Sequence, residues 1–386
     1  MSEALAVTPL LDSIRANAEQ ADQQRTLADE VINGFKANPI MGFTASRNIG
    51  GGAATVERCA DELAAVAACC TSSAWVLWNH LCTFHLFAGL LGPSNAEMLG
   101  RVVNAGEWVC FPAGASTGVR GVLDGDDWVL NGKAAFGSGA RYAEYAGVSF
   151  VTDAEQGPLF ALADLRQAGV KIDADWDAMS LRASATDTVY YENARVPAVN
   201  VVPFHYMYRE VFRRPDYAVV DPRYREDWVA LSDLWLGAMA VGLVQANLDD
   251  VLAGIRDRIA IAGVKVAQRP TVHVNLGLAQ AKLNAARDTV RQACLETDQR
   301  IANEQTPDEA DYLRQMAASM AALQLCDEAL RLQVRVMGGN GLREGPAFER
   351  RYRDFQAMPL HINAHQDRVS EQFGRHLLGL APENPF

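Results

Sequence analysis

The sequence predicts a mainly helical α+β fold: a helical region, a small β-sheet domain, then a long helical bundle. Three observations carry this. The run 61–68, with Leu63, Ala64, Ala65, Val66, Ala67 and Ala68, opens a strong helix-forming stretch. Between about 106 and 203, short apolar runs alternate with Gly, Asp and Asn turns. Stretches 231–259, 274–303 and 308–337 then show apolar faces far longer than an average globular helix.

Taken in order, residues 1–105 form an N-terminal helical domain, broken by a flexible loop at Gly50, Gly51 and Gly52. Residues 106–210 form the middle β domain. Its strands are expected in 128–139, 145–152, 157–165 and 187–202, with a hairpin turning at Asp124-Gly125-Asp126. Pro197 and Pro203 close it. Residues 211–386 form a C-terminal four-helix bundle whose last helix covers about 365–379. The Tyr- and Arg-rich segment 205–225 reads as a loop over a site or subunit contact, and His205 lies in it.

Composition narrows the function classes. The chain of 386 residues is 49% hydrophobic and 21% charged, the balance of a globular protein. Its net charge of −12 argues against nucleic-acid binding, which is driven by phosphate neutralisation. Local arginines can still hold one anionic ligand. No apolar run is expected to span a membrane, and the start lacks the basic and apolar stretches of a signal peptide, so a cytoplasmic location is expected. The seven cysteines show neither C-x-x-C nor zinc spacing and read as buried free thiols; no metal site is expected.

Four segments carry a resemblance that covers nearly the whole chain. They are FPAGASTG (111–118), NGKAAFGSGARYAEY (131–145), VPAVNVV after YYENAR, and MGGNGLREGPAFERRYRDFQ (337–356). In this order they resemble the acyl-CoA dehydrogenase superfamily. The resemblance implies that family's fold: N-terminal helices, a middle β domain and a C-terminal bundle. One departure bears on the chemistry. Many true dehydrogenases place a glutamate base after the Arg-Asp pair; here that segment is His361-Ile362-Asn363, and Ile362 cannot take a proton. Some relatives carry the base on an earlier bundle helix, and Glu226 and Asp227 lie at such a position.

The chain instead resembles the reduced-flavin-dependent, two-component monooxygenase branch, which includes phenol, dibenzothiophene and indole oxidisers. Arg353-Asp354 followed by His361, and Phe136-Gly137-Ser138-Gly139, match that branch. The resemblance implies catalytic roles for His361, for Ser138 beside the flavin ring, and for His80 on an N-terminal helix, with His85 as the other candidate. For His80 a core position among Trp75, Trp78 and Phe84 competes. Those three aromatic residues would line the substrate pocket or serve as plain core. Flavin contacts are expected from Phe111, Ala113, Ser116, Phe136, Ser138, Arg182, Arg258, Arg335, Gly338 and Gly339.

The cofactor implied is FAD, with FMN open, used as reduced flavin with molecular oxygen through a C4a-hydroperoxyflavin. A nicotinamide-binding G-x-G-x-x-G is absent, so a separate reductase is expected to supply the electrons. A small phenolic or indole-type substrate and a homotetramer complete the expectation. The alternatives are a dehydrogenase with a relocated carboxylate and a non-catalytic flavoprotein.

Overall fold

The computed structural model describes residues 4–112, 118–153, 158–203, 221–260 and 263–381, with the backbone only at 93, 94 and 363. Five helices come first: α1 (Leu11–Gln24), α2 (Asp29–Lys36), α3 (Val56–Cys69), α4 (Thr71–Leu91) and α5 (Ala96–Ala105). Eight strands follow: β1 (Val109–Cys110), β2 (Val119–Asp124), β3 (Asp127–Gly137), β4 (Tyr145–Phe150), β5 (Leu159–Asp164), β6 (Val170–Asp173), β7 (Asp187–Pro197) and β8 (Val201–Pro203). Then come α6 (Trp228–Ile255), α7 (Pro270–Ala302), α8 (Glu309–Met337), α9 (Ala347–Phe355) and α10 (Gln366–Leu377).

The strands make two four-stranded sheets, ordered β1-β4-β5-β8 and β2-β3-β7-β6. Ala146, Val148, Phe150, Ala161 and Ala163 of the first share a core with Val119, Leu130, Ala134, Val189 and Tyr191 of the second. The expected hairpin is present: Asp124 pairs with Asp127 across a turn in which Gly125 has φ +64°, a conformation glycine adopts without strain. The β3–β7 register slips between Ala134 and Gly137, where Phe136 has φ +60°. Such a bulge re-aims the side chains that follow it, and Ser138 follows here.

Helices α6, α7 and α8 pack on one another, and α10 lies against α8. Asp227 caps α6 by accepting from the backbone N–H groups of Val229 (2.8 Å) and Ala230 (3.3 Å). Two helices correct one expectation. α4 and α6 are long and apolar enough to cross a membrane by length and composition. Their most apolar windows are 94% and 83% buried inside the protein, so they are core helices, apolar on all sides because protein surrounds them. All seven cysteines are free and buried, as expected.

Candidate functional site

Helix α4 carries Trp75, Trp78 and Cys82 at i, i+3 and i+7, hence on one face. The Trp75 indole N–H donates to Ser138 Oγ at 3.0 Å. Ser138 Oγ also bonds Thr186 Oγ1 at 3.0 Å, and Thr186 bonds Ser184 Oγ at 2.7 Å. These three hydroxyl residues are buried. The His361 ring stands edge-on to Trp75 (centroids 5.7 Å) and Trp78 (4.9 Å). One wall therefore joins an N-terminal helix, the end of β3, the loop before β7 and the segment before α10.

The loops forming this wall are strained and held. Phe136, Leu181 and Ala185 all have positive φ without being glycine. Each such residue costs on the order of 1–3 kcal/mol, and such residues concentrate at functional sites. Gly139, at φ +81°, donates its N–H to Ser184 O at 2.9 Å, tying the two loops together. The Arg-Asp pair supplies the second tie. Arg353 donates to Met179 O (2.7 Å) and pairs with Asp22 (2.8 Å) and Glu349. Asp354 accepts from Leu181 N–H at 2.7 Å, and burial raises its carboxyl to about 6. The pair thus latches the 179–186 loop to the C-terminal segment.

His361 is partly exposed, yet its tryptophan walls and the nearby Arg368 charge act in one direction. Burial, then Arg368, hold the imidazole down to about 4. An imidazole so held is neutral at pH 7.

His80 does not join the wall. Its Nδ1 accepts from Val109 N–H (3.0 Å), so Nε2 donates to Met41 O (2.9 Å). The ring is 1% exposed, and burial lowers it to about 4. Both nitrogens are spent on the backbone, so His80 is a core tie, which corrects the catalytic expectation. His85 is buried likewise, with Nε2 on Glu226 O at 3.1 Å. Phe84 is corrected for a geometric reason: nine residues at 100° each put it about 180° around α4 from Trp75. It is 1% exposed in the core beyond. Phe111 is also core, its ring against Phe160 (5.6 Å) and Trp228 (5.7 Å).

The remaining residues divide into two groups. Phe136 is 58% exposed, its ring against Trp176 at 6.2 Å, and lies two residues from Ser138. Arg182 pairs with Asp22 at 3.5 Å, while its buried Nε lacks a hydrogen-bond partner. Arg258 lies elsewhere, donating to Met337 O at 3.1 Å beside the glycine turn. Gly338 and Gly339 are exposed there with open space where a Cβ would stand, and Arg335 is exposed nearby. Ala113, Ser116 and His205 lie outside the described residues.

The two carboxylates proposed as a relocated base are engaged. Glu226 is 1% exposed and receives Arg300 Nε and Nη2, both at 2.9 Å, and Gln315 Nε2 at 2.9 Å. Asp227 is the α6 cap. Sequence reasoning missed Asp233 on α6. It is 0% exposed, and neither carboxyl oxygen has a hydrogen-bond partner among the described residues. The missing signal was its setting: six of the seven residues from Trp228 to Leu234 are apolar or small, the pattern of a core helix.

Residues 234–366 match the family of the acyl-CoA dehydrogenase C-terminal domain. The chain is 25% identical to a pigment production hydroxylase of Rhodococcus sp. (strain ATCC 21145), over 98% of both chains. It is 22% identical to the oxygenase component of p-hydroxyphenylacetate 3-hydroxylase from Acinetobacter baumannii, over 98% of this chain and 89% of that one. Its fold matches XiaF from Streptomyces sp., solved with FADH2 and glycerol, with a TM-score of 0.88 at 18% identity, over 98% and 95% of the two chains. From its first helices to its last, the chain has the acyl-CoA dehydrogenase fold, and flavin-dependent hydroxylases are among its full-length relatives.

Proposed function

We propose that this chain is the oxygenase component of a two-component flavin monooxygenase acting on a small phenolic or indole-type aromatic compound. The observation that carries the reading is the wall of His361, Trp75, Trp78, Ser138 and Thr186, in a segment where Ile362 replaces a carboxylate. The full-length similarity to hydroxylases supports the same reading.

The residues present fit a flavin. Ser138 and Thr186 offer hydroxyls to the polar edge of an isoalloxazine ring, and Phe136 with Trp176 offers an aromatic flank. The orphaned Arg182 Nε offers a donor in the same loop. Gly338 and Gly339, with Arg258 beside them, offer open backbone and a cation to a phosphate. When bound, reduced flavin supplies the electrons that activate oxygen.

The chain's own residues bind and orient. Trp75 and Trp78, buried and packed on each other and on His361, make an apolar backing that keeps water from the Ser138 side of the site. Neutral His361 is held edge-on to both indoles, which fixes the plane of its ring beside Ser138 and Thr186. Trp75 fixes the Ser138 hydroxyl, leaving its orientation shared with Thr186. A separate reductase, a homotetrameric assembly and a cytoplasmic location complete the proposal. They rest on the family resemblance and, for the location, on seven reduced, buried cysteines.

The test supplies chemically reduced flavin, isotope-labelled oxygen and a panel of phenols and indoles. One labelled oxygen atom in the product is the expected result. Anaerobic bleaching of oxidised flavin by an acyl-CoA, with no labelled product from the panel, would overturn the reading. A dehydrogenase reading has one observation in its favour, the buried carboxylate of Asp233, and this arm tests it.

A further inference from the structure

Asp233 lies in the second turn of α6, next to Ser232, whose carbonyl accepts the Trp78 indole N–H at 2.8 Å. Its charge is felt by Cys82, which shares the α4 face of Trp75 and Trp78. It lies within the electrostatic reach of Arg368 of α10, the same cation that acts on His361. Arg368 Nη1 in turn donates to Ile362 O at 2.9 Å, and α6 packs on the 362–364 turn. Asp233 therefore lies on the helix that packs on both α4 and the 362–364 turn, one residue from the carbonyl that holds Trp78.

Its carboxyl is anomalous there. It is 0% exposed, and both oxygens lack a hydrogen-bond partner among the described residues. A buried acceptor left unpaired costs roughly 1–3 kcal/mol, more if charged, and the great majority of buried polar groups are satisfied. The hydroxyl next to it in sequence is satisfied locally: Ser232 Oγ donates to Val229 O at 2.9 Å. The other buried acids of the neighbourhood are satisfied too, Glu226 by Arg300 and Gln315, Asp227 in part by two backbone N–H groups. A buried acceptor kept bare on the helix that holds Trp78 is an unfilled half of a hydrogen bond.

We infer that Asp233 is the substrate-orienting acceptor, taking the ring-borne O–H or N–H of the phenolic or indole-type compound. This rests on the monooxygenase reading and deepens it. A donor on the ring answers the orphaned oxygens, while the ring itself lies on Trp78 and Trp75. Ionised or protonated, the carboxyl retains an acceptor oxygen, so the role does not depend on its charge state. Fixing one edge of the ring also fixes which carbon faces the cofactor, so Asp233 is a positioning residue for regioselectivity. A site built to accept a hydrogen bond discriminates strongly against an analogue without the donor, because its polar group is then left unpaired.

The experiment compares two isosteric pairs, indole with benzofuran and phenol with fluorobenzene, on the protein loaded with reduced flavin. Affinity is measured by anaerobic calorimetry, and product position by turnover with oxygen. The furan oxygen has a delocalised lone pair and accepts poorly, so it does not replace the indole N–H. Wild type is expected to bind the donor of at least one pair about tenfold or more tightly than its isostere. The pair that discriminates tells an N–H substrate from an O–H one. Asp233→Leu is expected to bring that ratio to about 1 and to scatter the oxygenated position, with affinity for the donor-less isostere unchanged. Should leucine crowd the pocket, Asp233→Ala reads the same ratio.

Equal binding within both pairs by wild type overturns the inference, as does a ratio that survives in both variants. Loss of anaerobic flavin bleaching by an acyl-CoA in Asp233→Leu would instead make Asp233 a base and overturn both readings. Binding discrimination without any oxygenated product would leave the inference standing and overturn the monooxygenase reading alone.

Discussion

The entrance of α6 and its second turn bury acids in opposite ways. At the entrance, Glu226 receives three charge-assisted or amide hydrogen bonds from Arg300 and Gln315, and Arg300 also holds Asp311 at 3.0 Å. In the second turn, Asp233 is equally buried and receives none on its carboxyl. The same contrast separates the histidines. His80 is sealed by two backbone bonds and is 1% exposed, while His361 is half-buried with its ring edge-on to Trp75 and Trp78. Burial therefore does not mark the site. The state of the hydrogen-bonding groups separates the two acids: Glu226 is satisfied within the fold, and the Asp233 carboxyl is not, among the described residues.

The largest expected effect strikes the satisfied acid. Glu226→Ala leaves Arg300 buried without its main counter-charge and should cost about 3–5 kcal/mol in denaturant unfolding. A loss below 1 kcal/mol would erase the contrast with Asp233.

Next comes His361. Replacement by alanine should lower oxygenation by roughly 100-fold, about 2.7 kcal/mol of barrier, while leaving the unfolding midpoint nearly unchanged. With its imidazole already neutral above about pH 4, the wild-type rate profile should show no break from this group near 6.5.

His80→Ala should do the reverse. It orphans Val109 N–H and Met41 O, at a cost of about 1–3 kcal/mol read as a lower midpoint, with turnover per folded molecule within about threefold of wild type. A selective loss of turnover would return His80 to the catalytic set.

The smallest effect is a gain. Asp233→Asn should stabilise the protein by on the order of 1 kcal/mol at neutral pH, because burial pushes this carboxyl well above its ordinary value of 3.8. Above pH 3.8 the unfolded chain ionises Asp233 freely and the folded chain resists, so wild type loses stability as pH rises until the folded group ionises. The advantage of the asparagine variant should therefore be near zero at pH 3.8 and widen upward. An advantage that is flat or shrinks with pH would mean that Asp233 is solvated or partnered in solution.

Much of this was legible beforehand, for a local reason. The hairpin at Gly125, the strand runs and the three long bundle helices follow from turn chemistry and apolar period, and each lies where the pattern places it. Ser138 and His361, marked by motif, and Trp75 and Trp78, marked with Phe84 as an aromatic cluster, are neighbours in the structure, with Phe84 apart. The same helix misled at His80 and Phe84. Both sit within a few residues of the wall, but the helical rotation turns them to the core. The apolar length of α4 and α6 likewise did not reveal that protein, not lipid, surrounds them.

The order and type of the elements, and the absence of a carboxylate at position 362, were determined by the sequence alone, because period, turns and side-chain identity are local properties. Which polar groups end satisfied was decided by tertiary structure. Trp75 meets Ser138 across 63 residues, and Leu181 meets Asp354 across 173. Asp233 becomes an orphan only once α4, α6 and the 362–364 turn pack together with no donor on its oxygens among the described residues. A hydrogen bond depends on where two distant groups arrive, and the packing of the fold sets that arrival.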